Sequence, residues 1–146
     1  MSLEEFISIQ MKERYKCFVI CGSGLTGKTT LVKKTAEHIG GHYIDLLCML
    51  KQDSQISENI TSINPDRLYA LIDMEDKKCV FADHLDIVFA LWTDTQQREF
   101  IRKLDMKSHG TCIVAILHNY KLLGQKGLMK NNSRGMKRIV NIAEID

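Results

Sequence analysis

The chain has 146 residues, 45% of them hydrophobic and 26% charged, a balance that fits one globular domain and excludes a disordered chain. A domain of this size buries roughly two thirds of the surface its unfolded chain exposes, so it needs neither disulfides nor a structural metal and can fold as a monomer. The formal net charge of +2 is too close to neutral to demand a nucleic-acid partner.

In chain order, Leu3, Phe6, Ile7, Ile9 and Met11 recur among Glu, Lys and Arg and predict a loose helix over Leu3 to Tyr15. Cys17 to Cys21 is an apolar run stopped by Gly22, the pattern of a buried strand. Gly27 to Ile39 reads as a helix with Leu31, Val32, Ala36 and Ile39 apolar and Gly40-Gly41 as its stop. His42 to Asp45 predicts a second strand, Leu46 to Lys51 a short helix, and Asp53 to Asn64 is polar enough for a mobile loop. Pro65 suits the first turn of a helix that runs to about Glu75 and is capped by Asn64. Cys79 to Asp83 is a third strand ending on an acid, and Asp94 to Lys107 a helix with Phe100, Ile101 and Leu104 on its apolar face. Thr111 to Leu117 and Arg138 to Ala143 complete the set as fourth and fifth strands. Strands alternating with helices predict an α/β chain of one domain over residues 1–146, three-layered, with a mostly parallel sheet of about five strands.

The five cysteines, Cys17, Cys21, Cys48, Cys79 and Cys112, form no C-x-x-C pair and fall mostly in apolar runs, which predicts buried free thiols in a reducing compartment. Met1 to Phe6 is acidic and lacks the pattern of a signal peptide, and no apolar run has the length of a membrane span. A cytoplasmic location is expected. Between Lys121 and Arg138 the chain carries Lys121, Lys126, Lys130, Arg134, Lys137 and Arg138 and no acid.

The most specific pattern is Gly22-Ser23-Gly24-Leu25-Thr26-Gly27-Lys28-Thr29, a G-x-x-x-x-G-K-[ST] phosphate loop between a predicted strand and a predicted helix. Backbone N–H groups of such a loop and the positive end of the following helix answer the charge of a triphosphate. Gly22, Gly24 and Gly27 permit the tight path, Lys28 reaches the outer phosphates, and the Thr29 hydroxyl ligates Mg2+. Thr30 reads either as a contact to the α-phosphate or as an ordinary polar residue of the first helical turn. ATP with Mg2+ is the expected cofactor, with GTP as the alternative nucleotide, and this pattern assigns the P-loop NTPase fold.

A phosphate-loop site adds a carboxylate from a neighbouring strand end, and Asp83 is that candidate metal residue, with a helix or turn cap as its structural alternative. Where many ATPases place a Glu directly after the metal Asp, this chain has His84, which reads as a loop histidine. Asp86 is the next acid and a candidate to orient water for hydrolysis, with a structural or solvated Asp as the alternative. The fourth strand runs into Ile116-Leu117-His118-Asn119, and Asn119 faces the outer phosphate if that strand lies beside the loop, with turn formation as the alternative. Arg134 and Arg138 read as part of a solvated basic tail, with contact to a phosphate as the alternative. Binding of DNA through the same stretch has weak support.

With these residues laid out, the chain resembles the BrxF family, small P-loop proteins of type 3 BREX phage-defence systems in bacteria. The similarity runs from about Arg14 to Asn119. It rests on the phosphate loop, Ile44-Asp45-Leu46-Leu47, Ala82-Asp83-His84-Leu85-Asp86-Ile87-Val88-Phe89 and an aliphatic strand ending in Asn119. In the third segment the family has Leu-Asp-Asn-Ile-Glu before a hydrophobic residue and Phe. Asp83 therefore matches the metal acid and Asp86 the family's Glu, one methylene shorter, while His84 replaces an amide. The family's Trp-Asn-Gly ending appears here as Leu117-His118-Asn119-Tyr120. The resemblance implies a cytoplasmic ATPase-like subunit of a multiprotein system that restricts phage DNA.

The leading expectation is a Mg2+-dependent ATP-binding, slowly hydrolysing module read by partner proteins. A small-molecule kinase is the runner-up, although Asp53 to Asn64 contains neither Lys nor Arg for a lid. A non-catalytic nucleotide-binding scaffold is a third class. A GTPase ranks below these, because His118-Asn119-Tyr120-Lys121 only loosely imitates the guanine motif Asn-Lys-x-Asp.

Overall fold

Apolar residues in uninterrupted runs, rather than in alternation with polar ones, need cover on both faces of a sheet. The computed structural model describes residues 1–23, 27–53 and 60–145 and provides that cover. Strands β1 (Phe18–Cys21), β2 (His42–Asp45), β3 (Cys79–Asp83), β4 (Cys112–Leu117) and β5 (Ile139–Asn141) form one five-stranded sheet in the order β2-β3-β4-β1-β5. All four pairings are parallel. The three central strands are buried throughout, whereas β5 at one edge is only half-buried and β2 at the other largely so.

Successive residues of each strand point to opposite faces, so each strand feeds two cores. Phe18, Ile20, Phe81, Val114 and Ile116 pack on one face with helices α1 (Leu3–Gln10) and α2 (Lys28–Ile39), through Leu3, Phe6, Ile7, Val32 and Ala36. Val19, Val80, Ala82, Ile113 and Ala115 serve the other face. There they meet Leu68 and Ile72 of α4 (Pro65–Ile72), Val88 and Phe89 of α5 (Asp86–Phe89), and Phe100, Ile101 and Leu104 of α6 (Asp94–Met106). The short α3 (Leu46–Gln52) follows β2 directly.

Local signals set the helix ends. Asn64 Oδ1 accepts the Arg67 N–H at 2.8 Å and Pro65 opens α4, as the sequence predicts. Thr93 and Gln96 form a capping box at α6, and Ser2 and Glu5 do so at α1. Gly40, with φ +73°, ends α2 in the left-handed conformation.

Several boundaries differ from expectation. The first helix stops at Gln10, α4 stops at Ile72, and the fifth strand is limited to Ile139–Asn141 before a 3-10 turn at Ile142–Glu144. The four-residue α5 was not foreseen. Of the expected loop after Asp53, residues 54–59 lie outside the described residues, and Ile60–Ser62 form a 3-10 turn. Cys17, Cys21, Cys79 and Cys112 are buried, but Cys48 is exposed, because α3 turns that face to solvent. No helix among the described residues is long and apolar enough to cross a membrane.

Candidate functional site

Parallel strands all finish at one edge of a sheet, so the loops at that edge are where their end residues meet. Here β1 runs into the glycine-rich segment, β2 ends on Asp45, β3 on Asp83 and β4 on Leu117. Register sets Cys21 beside Leu117 and Asn141, and Asp45 beside Asp83.

In the glycine-rich segment Gly24, Leu25 and Thr26 lie outside the described residues. Gly27, just before α2, has φ +78°, and a Cβ there would meet nothing within 4 Å. The backbone angle, not crowding, is what calls for glycine. Lys28 is the first residue of α2 and only 9% exposed. Its ammonium donates to the carbonyl oxygens of Gly22 at 2.9 Å and Ser23 at 2.7 Å. A cation is thereby held beside the segment at the positive end of a helix. Thr30 is exposed in the first turn of α2.

Thr29 Oγ1 donates to Asp83 Oδ2 at 2.7 Å, joining residues 54 positions apart. A hydroxyl has one proton, and directing it at a carboxylate leaves its lone pairs for a cation. Asp83 is 4% exposed and also accepts the Tyr43 hydroxyl on Oδ2 at 2.6 Å and the His84 N–H on Oδ1 at 2.8 Å. It caps no helix, since α5 begins after Leu85 without a side-chain cap. The expectation that Asp83 ends a strand neighbouring β1 is corrected: β4 stands between β1 and β3, and Thr29 makes the contact from α2.

Tyr43 was missed in the sequence. Burial and then the bond to Asp83 push its phenol well above the ordinary tyrosine value. The only signal for it is tertiary, namely that β2 pairs with β3. His84 takes φ +59°, a costly conformation for a residue with a Cβ. Its imidazole Nε2 lies 3.7 Å from Asp83 Oδ2 and 3.8 Å from Asp45 Oδ2.

Among the described residues no three His, Cys, Asp or Glu side chains gather to hold a metal. A threonine hydroxyl with one buried carboxylate instead suits a hard cation that keeps most of its water shell, and Mg2+ fits that donor set.

The remaining expected residues, Asp86 after β3 and Asn119 after β4, lie at the same edge of the sheet. Asp86 opens α5, and its Oδ1 accepts the His118 N–H at 2.9 Å and the Tyr120 hydroxyl at 2.7 Å. Its Oδ2 lies 3.4 Å from His118 Nε2. Burial, followed by the bond to Asp86, raises the Tyr120 phenol. Asn119 is exposed and lines a groove of about 530 Å3 together with Cys21, Gln125, Lys126, Asn141 and Glu144. Cys21 immediately precedes Gly22, so the groove begins where the glycine-rich segment does.

Arg134 is exposed, but the expectation of a solvated tail fails for Arg138, which is 1% exposed. Its Nη1 pairs with Asp105 Oδ1 at 2.6 Å, and its Nε donates to the Cys17 carbonyl at 3.0 Å. That carbonyl precedes β1, so the guanidinium is anchored at the amino end of the sheet, while Arg138 also lines the groove shared by Cys21 and Asn119.

Comparison of the chain with protein-family models and with curated proteins gave no match.

Proposed function

We propose that this chain is a P-loop protein that binds ATP with Mg2+, hydrolyses it slowly and acts through partner proteins. The observation that carries the reading is the Thr29–Asp83 hydrogen bond. It joins the hydroxyl of the phosphate-loop pattern to a buried acid from a different strand, at the carboxyl edge of an all-parallel sheet. Lys28 and the backbone around Gly22 and Gly27 bind the phosphates, and Thr29 and Asp83 hold the cation, Asp83 being itself oriented by Tyr43 and the His84 N–H. Bound Mg2+ supplies positive charge that neutralises the phosphates. Asn119 lines the groove that also takes in Cys21, and in this reading it responds to the outer phosphate. The resemblance to the BrxF family supports a cytoplasmic setting in bacterial phage defence, with other BREX components as partners.

Calorimetry with ATP and with GTP, each with Mg2+, tests this reading. Wild type binds ATP, and Lys28→Ala loses binding because the phosphates lose their main cationic contact. Equal affinity in the two proteins would refute the site. Phosphate release from the same samples, alone and with candidate partners, separates a subunit completed in trans, silent until partners are added, from a self-sufficient hydrolase.

A further inference from the structure

We propose that Asp86 is a positioning residue whose carboxylate clamps both ends of the turn that presents Asn119. This rests on the nucleotide reading above and takes up the structural alternative for Asp86 rather than the water-orienting one. The Tyr120 N–H donates to the His118 carbonyl at 2.9 Å, closing a three-residue turn with Asn119 at its centre. One oxygen of Asp86 accepts from both flanks of that turn, the His118 N–H and the Tyr120 hydroxyl. The other faces the His118 imidazole, so both carboxylate oxygens are engaged by the turn. The Tyr120 ring also packs on Phe89, at the far end of the same short helix, with centroids 4.8 Å apart.

A γ-type turn on the surface has one internal hydrogen bond and little to fix its orientation. Here α5 supplies a polar anchor at its first residue and an apolar one at its last. Asn119 is thereby held two residues beyond Leu117, the strand partner of Cys21 at the start of the glycine-rich segment. Asp83 and Asp86 are three residues apart, so one short segment fixes both the candidate metal acid and the Asn119 turn.

The clamp and a proton-accepting role respond oppositely to Asp86→Asn. The asparagine keeps an acceptor oxygen for His118 and Tyr120 but is no base. With ATP and Mg2+, Asp86→Asn is expected to lower phosphate release about threefold, whereas Asp86→Ala lowers it on the order of 100-fold through misplacement of the turn. Tyr120→Phe, which removes one of the two bonds, falls between them. ATP affinity within about threefold of wild type in each variant reports an intact fold. Amide hydrogen exchange at His118, read without nucleotide, is slow in wild type and Asp86→Asn and fast in Asp86→Ala. Equal loss of turnover in the asparagine and alanine variants, with the His118 amide still protected in the former, would overturn the proposal in favour of a base. Unchanged protection in Asp86→Ala would overturn it outright. A wild type that binds neither nucleotide would refute the proposed function alone, and the exchange comparison would still decide whether Asp86 holds the turn.

Discussion

Thr29 shows how far one residue reaches. Its place in the pattern after Gly27 and Lys28 is legible in the sequence, because the phosphate-loop pattern is contiguous and assigns an expectation to each position. Its bond to Asp83 is not, since nothing around either residue encodes a partner 54 positions away. Thr29→Val keeps the volume and removes the hydroxyl, leaving Asp83 with Tyr43 and the His84 N–H. The gain in ATP affinity that Mg2+ brings should shrink by roughly 10-fold or more, while Thr29→Ser retains it. Titration of each variant with ATP, with and without Mg2+, measures this, and an unaltered Mg2+ effect in Thr29→Val would remove Thr29 from the cation site.

At the scale of elements, helices and buried strands were legible because a covered parallel strand must be apolar throughout and helix ends carry caps. The stretch from Lys121 to Arg138 was misread in part, because a run of like charges reports composition and not the burial of any one member. Arg138 instead joins α6 to the segment entering β5, through Asp105, and reaches the chain entering β1 through the Cys17 carbonyl. Arg138→Met retains bulk but leaves the Asp105 carboxylate, 8% exposed as a residue, without its counter-charge and held by the Lys130 N–H at 3.0 Å. An uncompensated buried charge of this kind costs about 3–5 kcal/mol. A urea unfolding curve should show a midpoint lowered accordingly, and replacing Asp105 with leucine as well should recover much of the loss. A midpoint like that of wild type would mean that the pair does not hold these elements together.

At the scale of the whole molecule, Tyr43, Tyr69 and Tyr120 titrate together with the fold. Burial is the first cause in each, pushing Tyr69 up to about 12 and the other two upward as well, with Asp83 and Asp86 adding to the shifts of Tyr43 and Tyr120. The folded phenols therefore hold their protons more tightly than the unfolded ones do. The stability they contribute is complete below the unfolded value near 10 and is lost as pH rises toward the folded values. The melting temperature should thus fall as pH climbs from about 10 to about 12, with most phenolate absorbance appearing on unfolding. Ionisation of more than one of the four tyrosines in the folded protein near pH 10 would contradict this.

By itself the sequence determined what local chemistry can encode: the order of most strands and helices, the burial of the central strands, the cap at Asn64, and the phosphate-loop pattern from Gly22 to Thr29. The tertiary structure alone decided that β4 separates β1 from β3, that Thr29 and Tyr43 converge on Asp83, that Asp86 holds the turn after β4, and that Arg138 is buried against Asp105. Each of those contacts joins side chains far apart along the chain. Their meeting depends on strand order and register, which hydrophobic periodicity leaves open because every permutation of the same buried strands satisfies it equally.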